Sequence, residues 1–231
     1  MKLPSLSIVI PCYNTESTVK NVIIQAYTVG KTVSKSVEII ALDDASSDAT
    51  LSIVRSLKKK IPSLNILTHS TNKGYGETIK TLYKSATKAW IFSLPSDDQF
   101  DANEIQKLLP YTKNSDMVLG RRVIRNDRSE RKFQSYMYNV LLSKLFGLKL
   151  HDANTIRLMK KTVIDRITLL SHSAFVDAEL AIRMTRAGMT IIEVPIIHKT
   201  REDHGGSGGK FFKTILPTII DMGKMKLLPT P

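Results

Sequence analysis

The sequence has a single cysteine, Cys12, among its 231 residues, so no internal disulfide can form. Its N-terminus, MKLPSLSIVIP, lacks the charged-then-apolar layout of a signal peptide. No apolar run approaches the ~20 residues needed to span a bilayer, so any membrane contact would be peripheral. These absences predict a reducing, cytoplasmic setting, either free or on the cytoplasmic face of a membrane.

The chain also has no obvious repeat, linker or low-complexity tract, and 42% of its residues are hydrophobic. A chain of this length can bury one substantial core, which predicts a single domain over 1–231. Glycine is concentrated only in GGSGGK at 205–210, a pattern typical of a mobile loop.

Acidic residues are the scarcer charge, with 21 Asp and Glu against 34 Lys and Arg, which gives a net charge of +13. This excess favours an anionic partner. The most basic segment, GRRVIRNDRSERK, contains no aromatic residue. Single-strand nucleic-acid binders combine basic residues with stacking rings, so the sequence argues against nucleic acid as the partner.

Short runs rich in Ile and Val alternate with longer segments of helical period. This alternation predicts an α/β fold in three layers, α/β/α, with a mainly parallel sheet whose ligand crevice lies at the carboxyl ends of the strands. The predicted strands are 6–10, 37–42, 65–69, 90–94, 117–120, 155–159 and 190–197, and the predicted helices are 17–29, 48–60, 77–88, 103–111, 131–146, 161–169 and 175–187.

A polar motif follows each of the first five predicted strands: PCYNTE, DDASSD, TNKGYG, PSDDQFD and GRR. In PSDDQFD, the adjacent Asp97 and Asp98 allow two interpretations. They could accept hydrogen bonds at the start of a helix. They could instead bind a divalent cation, since carboxylate oxygens are the ligands that Mg²⁺ and Mn²⁺ prefer.

The first two motifs are equally open. Tyr13 could stack on a base, or its loop could be ordinary, with Asn14 or Thr15 capping the next helix. Asp43 and Asp44 could bind a base or ribose, whereas Asp48 suits a helix cap at least as well as a ligand.

The later motifs carry similar alternatives. Lys73 and Gly74 in NKGYG suit close approach to a phosphorylated ligand at a helix N-terminus, although the pattern matches no named phosphate loop. Arg122 could pair with a diphosphate or remain a solvated surface charge. In FVDAEL, Asp177 and Glu179 stabilise a helix dipole in any case, and one of them could act as a general base.

The ordered set VIPCYN, LDDASSD, NKGYG, SDDQFD, GRR, DANTIRLM and EVPI resembles the family 2 glycosyltransferases, which share the GT-A fold. The resemblance runs from about Leu6 to Lys210. It is closest to the branch that contains dolichyl-phosphate mannose synthase and bacterial polyprenyl-phosphate sugar transferases.

This resemblance implies an inverting, metal-dependent transfer of a sugar from a UDP- or GDP-sugar to an acceptor, for which a polyprenyl phosphate is one candidate. It implies Mg²⁺ or Mn²⁺ as cofactor, a nucleotide-binding half (1–120) and an acceptor-side half (121–209). The alternative is a non-catalytic nucleotide-sugar-binding protein. The residues implied are Asp97, Asp177, Arg122 and Arg201 in catalysis, Asp97 and Gln99 in metal binding, and Pro11, Tyr13, Glu16, Asp44, Lys73, Gly74, Ser96, Asp98, Asn154 and Lys210 in substrate binding.

The sequence departs from the family pattern at four places. Pro95 stands where the family usually has the first aspartate of its DxD motif, and Thr15 replaces the usual glutamate after YN. DANTIR replaces a pattern like DxTSGFR, and SGGK replaces SK after Arg201. The last two differences fall where the sugar and acceptor are expected.

The tail at 210–231 has an apolar stripe with basic flanks, in which Phe211, Ile215 and Ile219 repeat at helical spacing beside Phe212, Leu216 and Ile220. Such a stripe could pack on the protein's own core or on a second subunit in a homodimer. It could also lie on an anionic membrane. Pro217 predicts two short helical segments in place of one.

Overall fold

In the computed structural model of the chain, the described residues are 2–124, 129–199 and 211–227. The strands are β1 Leu6–Cys12, β2 Val37–Asp43, β3 Leu64–Thr68, β4 Trp90–Ser93, β5 Met117–Ile124, β6 Arg157–Lys160 and β7 Ile191–Ile197. The helices are α1 Val19–Val33, α2 Thr50–Leu57, α3 Tyr75–Ser85, α4 Ile105–Leu108, α5 Ser129–Phe146, α6 Lys161–Arg166, α7 Val176–Arg186 and α8 Phe211–Leu227. Each strand that the sequence predicts is confirmed, with ends shifted by a few residues.

The seven strands form one sheet in the order β3-β2-β1-β4-β6-β5-β7. All neighbours are parallel except β6, which runs antiparallel to both β4 and β5. The prediction of a mainly parallel α/β sheet is therefore confirmed. The order reverses direction at β1, which has β2 on one side and β4 on the other.

The central strands are buried on both faces, as parallel strands covered by helices must be. In β1, Ile8 and Ile10 pack with α1 on one side of the sheet, whereas Val9 packs with α3 and α7 on the other. The two separate apolar clusters confirm the three-layer arrangement.

The helix predicted at 103–111 is broken into three pieces, with 3₁₀ turns at 102–104 and 109–114 on either side of α4. Asp101 begins this segment by accepting the Asn103 N–H at 2.8 Å. Pro110 interrupts the α-helix because it has no N–H to donate to a carbonyl four residues earlier.

The tail is one helix, α8, so the prediction of two short segments around Pro217 is wrong. A proline removes one backbone hydrogen bond, and the remaining turns are held by tertiary contacts farther along. Met222 and Met225 are buried in the core on the α7 side of the sheet, and the Asp221 carboxylate accepts backbone N–H groups from the loop before α7.

The described part of the stripe identified in the sequence, which is Leu216, Ile219 and Ile220, is not the face by which α8 packs. Leu216, Ile219 and Ile220 are exposed, at 53%, 55% and 47% of their full accessible surface. The helix contacts the body of the protein through the adjacent face, which carries Met222 and Met225.

Candidate active site

The loop after β4 is tied to the loop after β1 by side-chain hydrogen bonds. The buried Ser96 hydroxyl donates to the Pro11 carbonyl at 2.8 Å, and the Thr18 hydroxyl donates to the Ser96 carbonyl at 2.6 Å. Thr15 adds a hydroxyl contact to Ser96 at 3.1 Å. Ser96 therefore fixes two strand-end loops to each other, and Tyr13 beside them is 44% exposed.

Asp44 organises the loop after β3. One of its carboxylate oxygens accepts the Lys73 N–H at 2.9 Å and the other accepts the Gly74 N–H at 2.8 Å. His69 Nδ1 lies 2.6 Å from the same carboxylate. Gly74 has φ +82°, a conformation that favours glycine, and α3 begins directly after it. Three of the residues predicted to bind substrate, Asp44, Lys73 and Gly74, are thus brought together.

Glu16 and Asp48 join the first and second loops reciprocally. The Glu16 carboxylate accepts the Ala49 N–H at 2.8 Å, and the Asp48 carboxylate accepts the Glu16 N–H at 3.1 Å. Asp48 also accepts the N–H of Thr50, the first residue of α2, at 2.9 Å, which favours the helix-start alternative over a ligand role. Neither Asn14 nor Thr15 caps α1 through a side chain.

The two acids of the fourth loop do not begin a helix, because Asp101 performs that role. The Asp97 carboxylate accepts the Gln99 N–H at 3.2 Å in a tight turn. Asp98 adopts the left-handed conformation, with φ +56°, and its carboxylate lies 3.3 Å from Lys199 Nζ. The two carboxylates therefore differ in their partners.

These oxygen atoms suit Mg²⁺ or Mn²⁺. Asp97, Asp98 and Gln99 offer two carboxylates and an amide carbonyl, which are hard oxygen ligands. Within residues 2–124, 129–199 and 211–227, no group of three His, Cys, Asp or Glu could hold a metal ion by itself. A Mg²⁺ site usually combines one or two carboxylates with substrate phosphates.

Arg122 at the end of β5 is not a solvated surface charge. Its Nε and Nη2 donate to the two oxygens of Asp152 at 2.5 and 2.7 Å, and its side chain is only 16% exposed. Glu193 on β7 accepts the N–H groups of His151 and Asp152 at 2.9 and 3.1 Å. The structure thus commits two donors of the Arg122 guanidinium to Asp152, and the predicted contact with a diphosphate stays a prediction.

Asp177 lies in a buried polar cluster with Arg157 and Tyr75. Arg157 Nη1 is 2.8 Å from Asp177 Oδ1, an ion pair without the angle of a hydrogen bond, and the Tyr75 hydroxyl donates to Asp177 Oδ2 at 3.0 Å. Burial raises the pKa of Asp177, and Arg157 opposes that shift. Tyr75 is 37% exposed overall, but burial of its hydroxyl raises its pKa well above the usual 10.

Two more tyrosines face this cluster. Burial raises the pKa of Tyr83 to about 12, and Tyr83 lies close to Ser93 and Arg157. Tyr138 lies close to Asn154, a predicted substrate residue that is itself exposed. The hydroxyls of Tyr83 and Tyr138 are buried and make no hydrogen bond of normal geometry to the protein. Buried hydroxyls of this kind are usually satisfied by ordered water or ligand.

Glu179 holds the loop before α7. Its carboxylate accepts the N–H groups of Leu170 and Ser171 at 3.0 and 2.8 Å, and Arg183 donates to it at 2.7 Å. The side chain is 1% exposed. Its role in the structure is therefore to shape this loop, whose next two N–H groups are bound by Asp221.

Two predicted residues, Arg201 and Lys210, lie outside the described residues, as does the glycine-rich loop. Sequence reasoning missed Arg157, Asp152, Tyr75 and Lys199. Arg157 and Asp152 belong to the DANTIR motif and Tyr75 to the NKGYG motif, both of which the sequence did bring to attention, whereas nothing in the sequence marks Lys199.

Comparison with known proteins identifies similarity over most of the chain. The family model described as glycosyl transferase family 2 matches residues 7–175. Undecaprenyl-phosphate 4-deoxy-4-formamido-L-arabinose transferase of Salmonella choleraesuis is 28% identical over 219 residues, 92% of this chain and 65% of the relative. The Proteus mirabilis protein of the same name is 27% identical, covering 98% of this chain and 71% of its own. The chain thus spans about two thirds of the length of these relatives.

Solved structures with a similar fold include glucosyl-3-phosphoglycerate synthase from Mycobacterium tuberculosis. Its complex with uridine-diphosphate matches with a TM-score of 0.74 at 14% identity, over 98% of this chain and 81% of that one. Its complex with Mn²⁺, uridine-diphosphate and phosphoglyceric acid gives 0.73 at 16% identity, over 98% and 80%. At this identity the comparison concerns the fold alone.

Proposed function

Because the chain belongs to glycosyl transferase family 2, we propose that it transfers a sugar, with inversion, from a UDP- or GDP-sugar to the phosphate oxygen of a polyprenyl phosphate. The family membership confirms the resemblance stated from the strand-end motifs. The acceptor is the part of the proposal that this chain's own residues address most directly.

The observation that carries the proposal is the state of the two candidate bases. Both oxygens of Asp177 face partners, Arg157 and the Tyr75 hydroxyl, and the side chain is 6% exposed. Glu179 is 1% exposed and binds two backbone N–H groups and Arg183. A general base must reach the proton that it removes. The partners of both acids support an acceptor from which no proton has to be removed.

An acceptor that is already anionic removes this requirement. A phosphate monoester has its second pKa near 6, so at neutral pH its oxygen carries the charge needed for attack. The relatives are named as undecaprenyl-phosphate 4-deoxy-4-formamido-L-arabinose transferases. The net charge of +13 also favours anionic substrates.

In the proposed reaction, the phosphate oxygen forms a bond to the anomeric carbon as the bond from that carbon to the nucleoside diphosphate breaks. A divalent cation held by Asp97 and Gln99 would neutralise charge on the leaving diphosphate. The loop that Asp44 shapes through Lys73 and Gly74 would hold the nucleotide. The Arg122–Asp152 pair holds the residues before β6 beside the edge of the sheet at which the parallel strands end. No proton has to move.

A paired assay tests the acceptor. The protein with Mn²⁺ and labelled UDP- or GDP-sugars is offered a short polyprenyl phosphate or the matching free polyprenol. We expect labelled lipid only from the phosphate. Equal transfer to the alcohol would contradict the argument from Asp177 and Glu179. Failure with every donor and both lipids would favour the alternative, a nucleotide-sugar-binding protein without activity. Pro95, which stands in place of the usual first aspartate of the DxD motif, supports that alternative.

We also propose that the exposed apolar side chains of α5 and α8 contact the membrane that contains such an acceptor. Tyr136, Met137 and Leu141 on α5 are exposed, as are Leu216, Ile219 and Ile220 on α8. Lys224 and Lys226 follow on α8 and suit anionic headgroups. None of the helices in the described part of the chain is both long and apolar enough to cross a bilayer, so the proposed contact is interfacial.

Flotation with anionic liposomes tests this contact. Truncating α8 would expose the core around Met222, so substitutions are preferable. The double variant Ile219→Asp with Ile220→Asp is compared with the single variant Lys224→Asp. We expect binding at low salt that the apolar substitutions abolish and the charge reversal weakens. No binding by the unaltered chain would contradict the proposal, and a concentration-dependent dimer lost in the same variant would assign the surface to a second copy.

A further inference from the structure

His198 and Lys199, directly after β7, run along the loop after β4 that carries Asp97, Asp98 and Gln99. The Lys199 N–H donates to the Gln99 carbonyl at 2.8 Å, and the His198 ring packs edge-on against Phe100 with centroids 5.0 Å apart. Phe100 and His198 are both buried. The backbone of Lys199 is therefore fixed against the loop that carries Asp97 and Asp98.

From this fixed position, the Lys199 ammonium reaches Asp98. Nζ lies 3.3 Å from Oδ1, and the side chains are 42% and 31% exposed. Asp98 holds a left-handed conformation at φ +56°, which orients it differently from Asp97. The described contacts of Asp97 include no cation, because its carboxylate accepts only the Gln99 N–H. Within the part of the chain that the structure describes, Asp98 has a cationic partner and Asp97 has none.

We propose that Lys199 acts as a built-in counter-ion that withholds Asp98 from the divalent cation. The cation is thereby directed to Asp97 and Gln99, and its binding depends on the oxygens of the donor diphosphate. This inference rests on the proposed function, since it concerns the same metal. Lys199 is a positioning residue here and takes no part in bond making or breaking.

The proposal has a defined energetic scale. Lys199→Met leaves the Asp98 carboxylate free to attract a divalent ion, and in the high effective dielectric of a partly exposed site this effect is modest and sensitive to salt. We expect Lys199→Met to bind Mn²⁺ alone roughly three- to tenfold more tightly than the unaltered protein at low ionic strength. Lys199→Arg keeps the charge and should behave as the unaltered protein.

The test is a double-mutant cycle read by Mn²⁺ binding, either calorimetrically or from the electron paramagnetic resonance of free Mn²⁺, without nucleotide. The four chains are the unaltered protein, Lys199→Met, Asp98→Asn and the double variant. Lys60→Met, an exposed lysine after α2, is the control for a lost surface charge. We expect Lys199→Met to tighten binding only where Asp98 is present, and Lys60→Met to change nothing.

Two results would overturn the inference. One is an Mn²⁺ affinity that Lys199→Met leaves unchanged. The other is an equal gain in the Asp98→Asn background, which would show general electrostatics in place of a specific pair. Because Mn²⁺ binding is measured without sugar transfer, failure of this inference can be distinguished from failure of the proposed function. If Mn²⁺ binding changes as expected but no sugar is transferred, this inference is supported and the proposed function fails. If sugar is transferred but Lys199→Met leaves the Mn²⁺ affinity unchanged, the proposed function is supported and this inference fails.

Discussion

Asp97 and Asp98 are adjacent in the chain but face different partners, and this difference predicts unequal mutants. Asp97→Ala should weaken Mn²⁺-dependent binding of the nucleoside diphosphate at least tenfold, since even indirect partners of metal ligands contribute about 10- to 100-fold. Asp98→Ala should have a clearly smaller effect because Asp98 is already paired with Lys199. Calorimetric titration with UDP or GDP in Mn²⁺ measures both. An equal loss in the two variants would contradict the assignment of the metal to Asp97.

Gly76 is required by close backbone contact. A Cβ at this position would lie 2.4 Å from the backbone carbonyl of His172, which cannot move aside as a flexible side chain could. Gly76→Ala should therefore lower the free energy of unfolding by about 1–3 kcal/mol, the usual cost of overpacking. Gly223→Ala on α8 is the matched control, because a Cβ there has no atom within 4 Å. It should stabilise the protein by up to about 1 kcal/mol. Denaturant unfolding compares them.

At the scale of elements, α8 depends on one buried carboxylate. Asp221 accepts the N–H groups of His172 and Ser173 at 3.0 and 2.9 Å. Asp221→Ala leaves both part-buried donors without this partner, which costs about 0.5–1.5 kcal/mol for each hydrogen bond lost. We expect faster hydrogen exchange at 172–173 and along 216–227. Lys224→Ala on the same helix should change stability by less than about 0.5 kcal/mol. Unchanged exchange in Asp221→Ala would contradict this role of Asp221.

Asp116 ties the start of β5 to the end of β6 and to the residue before β7. The Thr190 N–H and then Lys160 lower its pKa below the ordinary 3.8. A carboxyl with a lowered folded-state pKa contributes stability above its unfolded pKa, and this contribution is lost as the pH falls through the folded value. The unaltered protein should therefore lose more stability than Asp116→Asn between about pH 5 and pH 3. Melting temperatures across this range provide the measurement, and parallel curves would contradict it.

The elements that the sequence predicted well are those whose pattern is local. Short apolar runs identified all seven strands, most directly β1, β2 and β4, where burial on both faces leaves a trace in composition. The antiparallel direction of β6 left no such trace, since a four-residue strand carries no sign of its orientation. Pro217 led to a wrong prediction of two short helices. The local rule that proline breaks a helix was overridden here by the tertiary contacts of Asp221, Met222 and Met225.

At the scale of the whole molecule, donor binding should be visible as stability. A ligand that binds only the native state at 100 times its Kd adds about 2.7 kcal/mol. For a chain of this size that corresponds to roughly 5–11 °C in Tm. We expect this shift with UDP or GDP together with Mn²⁺, and a smaller one with either alone, because the proposed cation site needs diphosphate oxygens. ADP with Mn²⁺ serves as the control. No shift with any nucleoside diphosphate would contradict the proposed donor.

The candidate site was predictable only as far as strand ends could place it. Asp44, Lys73, Gly74, Pro11 and Ser96 do come together, because parallel strands deliver their loops to one edge. What the sequence could not supply was pairing across that edge. That Arg122 faces Asp152, or that Lys199 faces Asp98, depends on distances between segments 30 and 101 residues apart.

The reversed strand β6 has a consequence for how such a molecule can diversify. Because β6 is antiparallel, Arg157 at its beginning pairs with Ser93 at the end of β4, so the entry loop 147–156 reaches the same edge as the exit loops of the parallel strands. An insertion in 147–156 would lengthen this loop without changing the register of any pair of parallel strands. The fold thus separates a segment whose length can change from the fixed registers of the parallel strands.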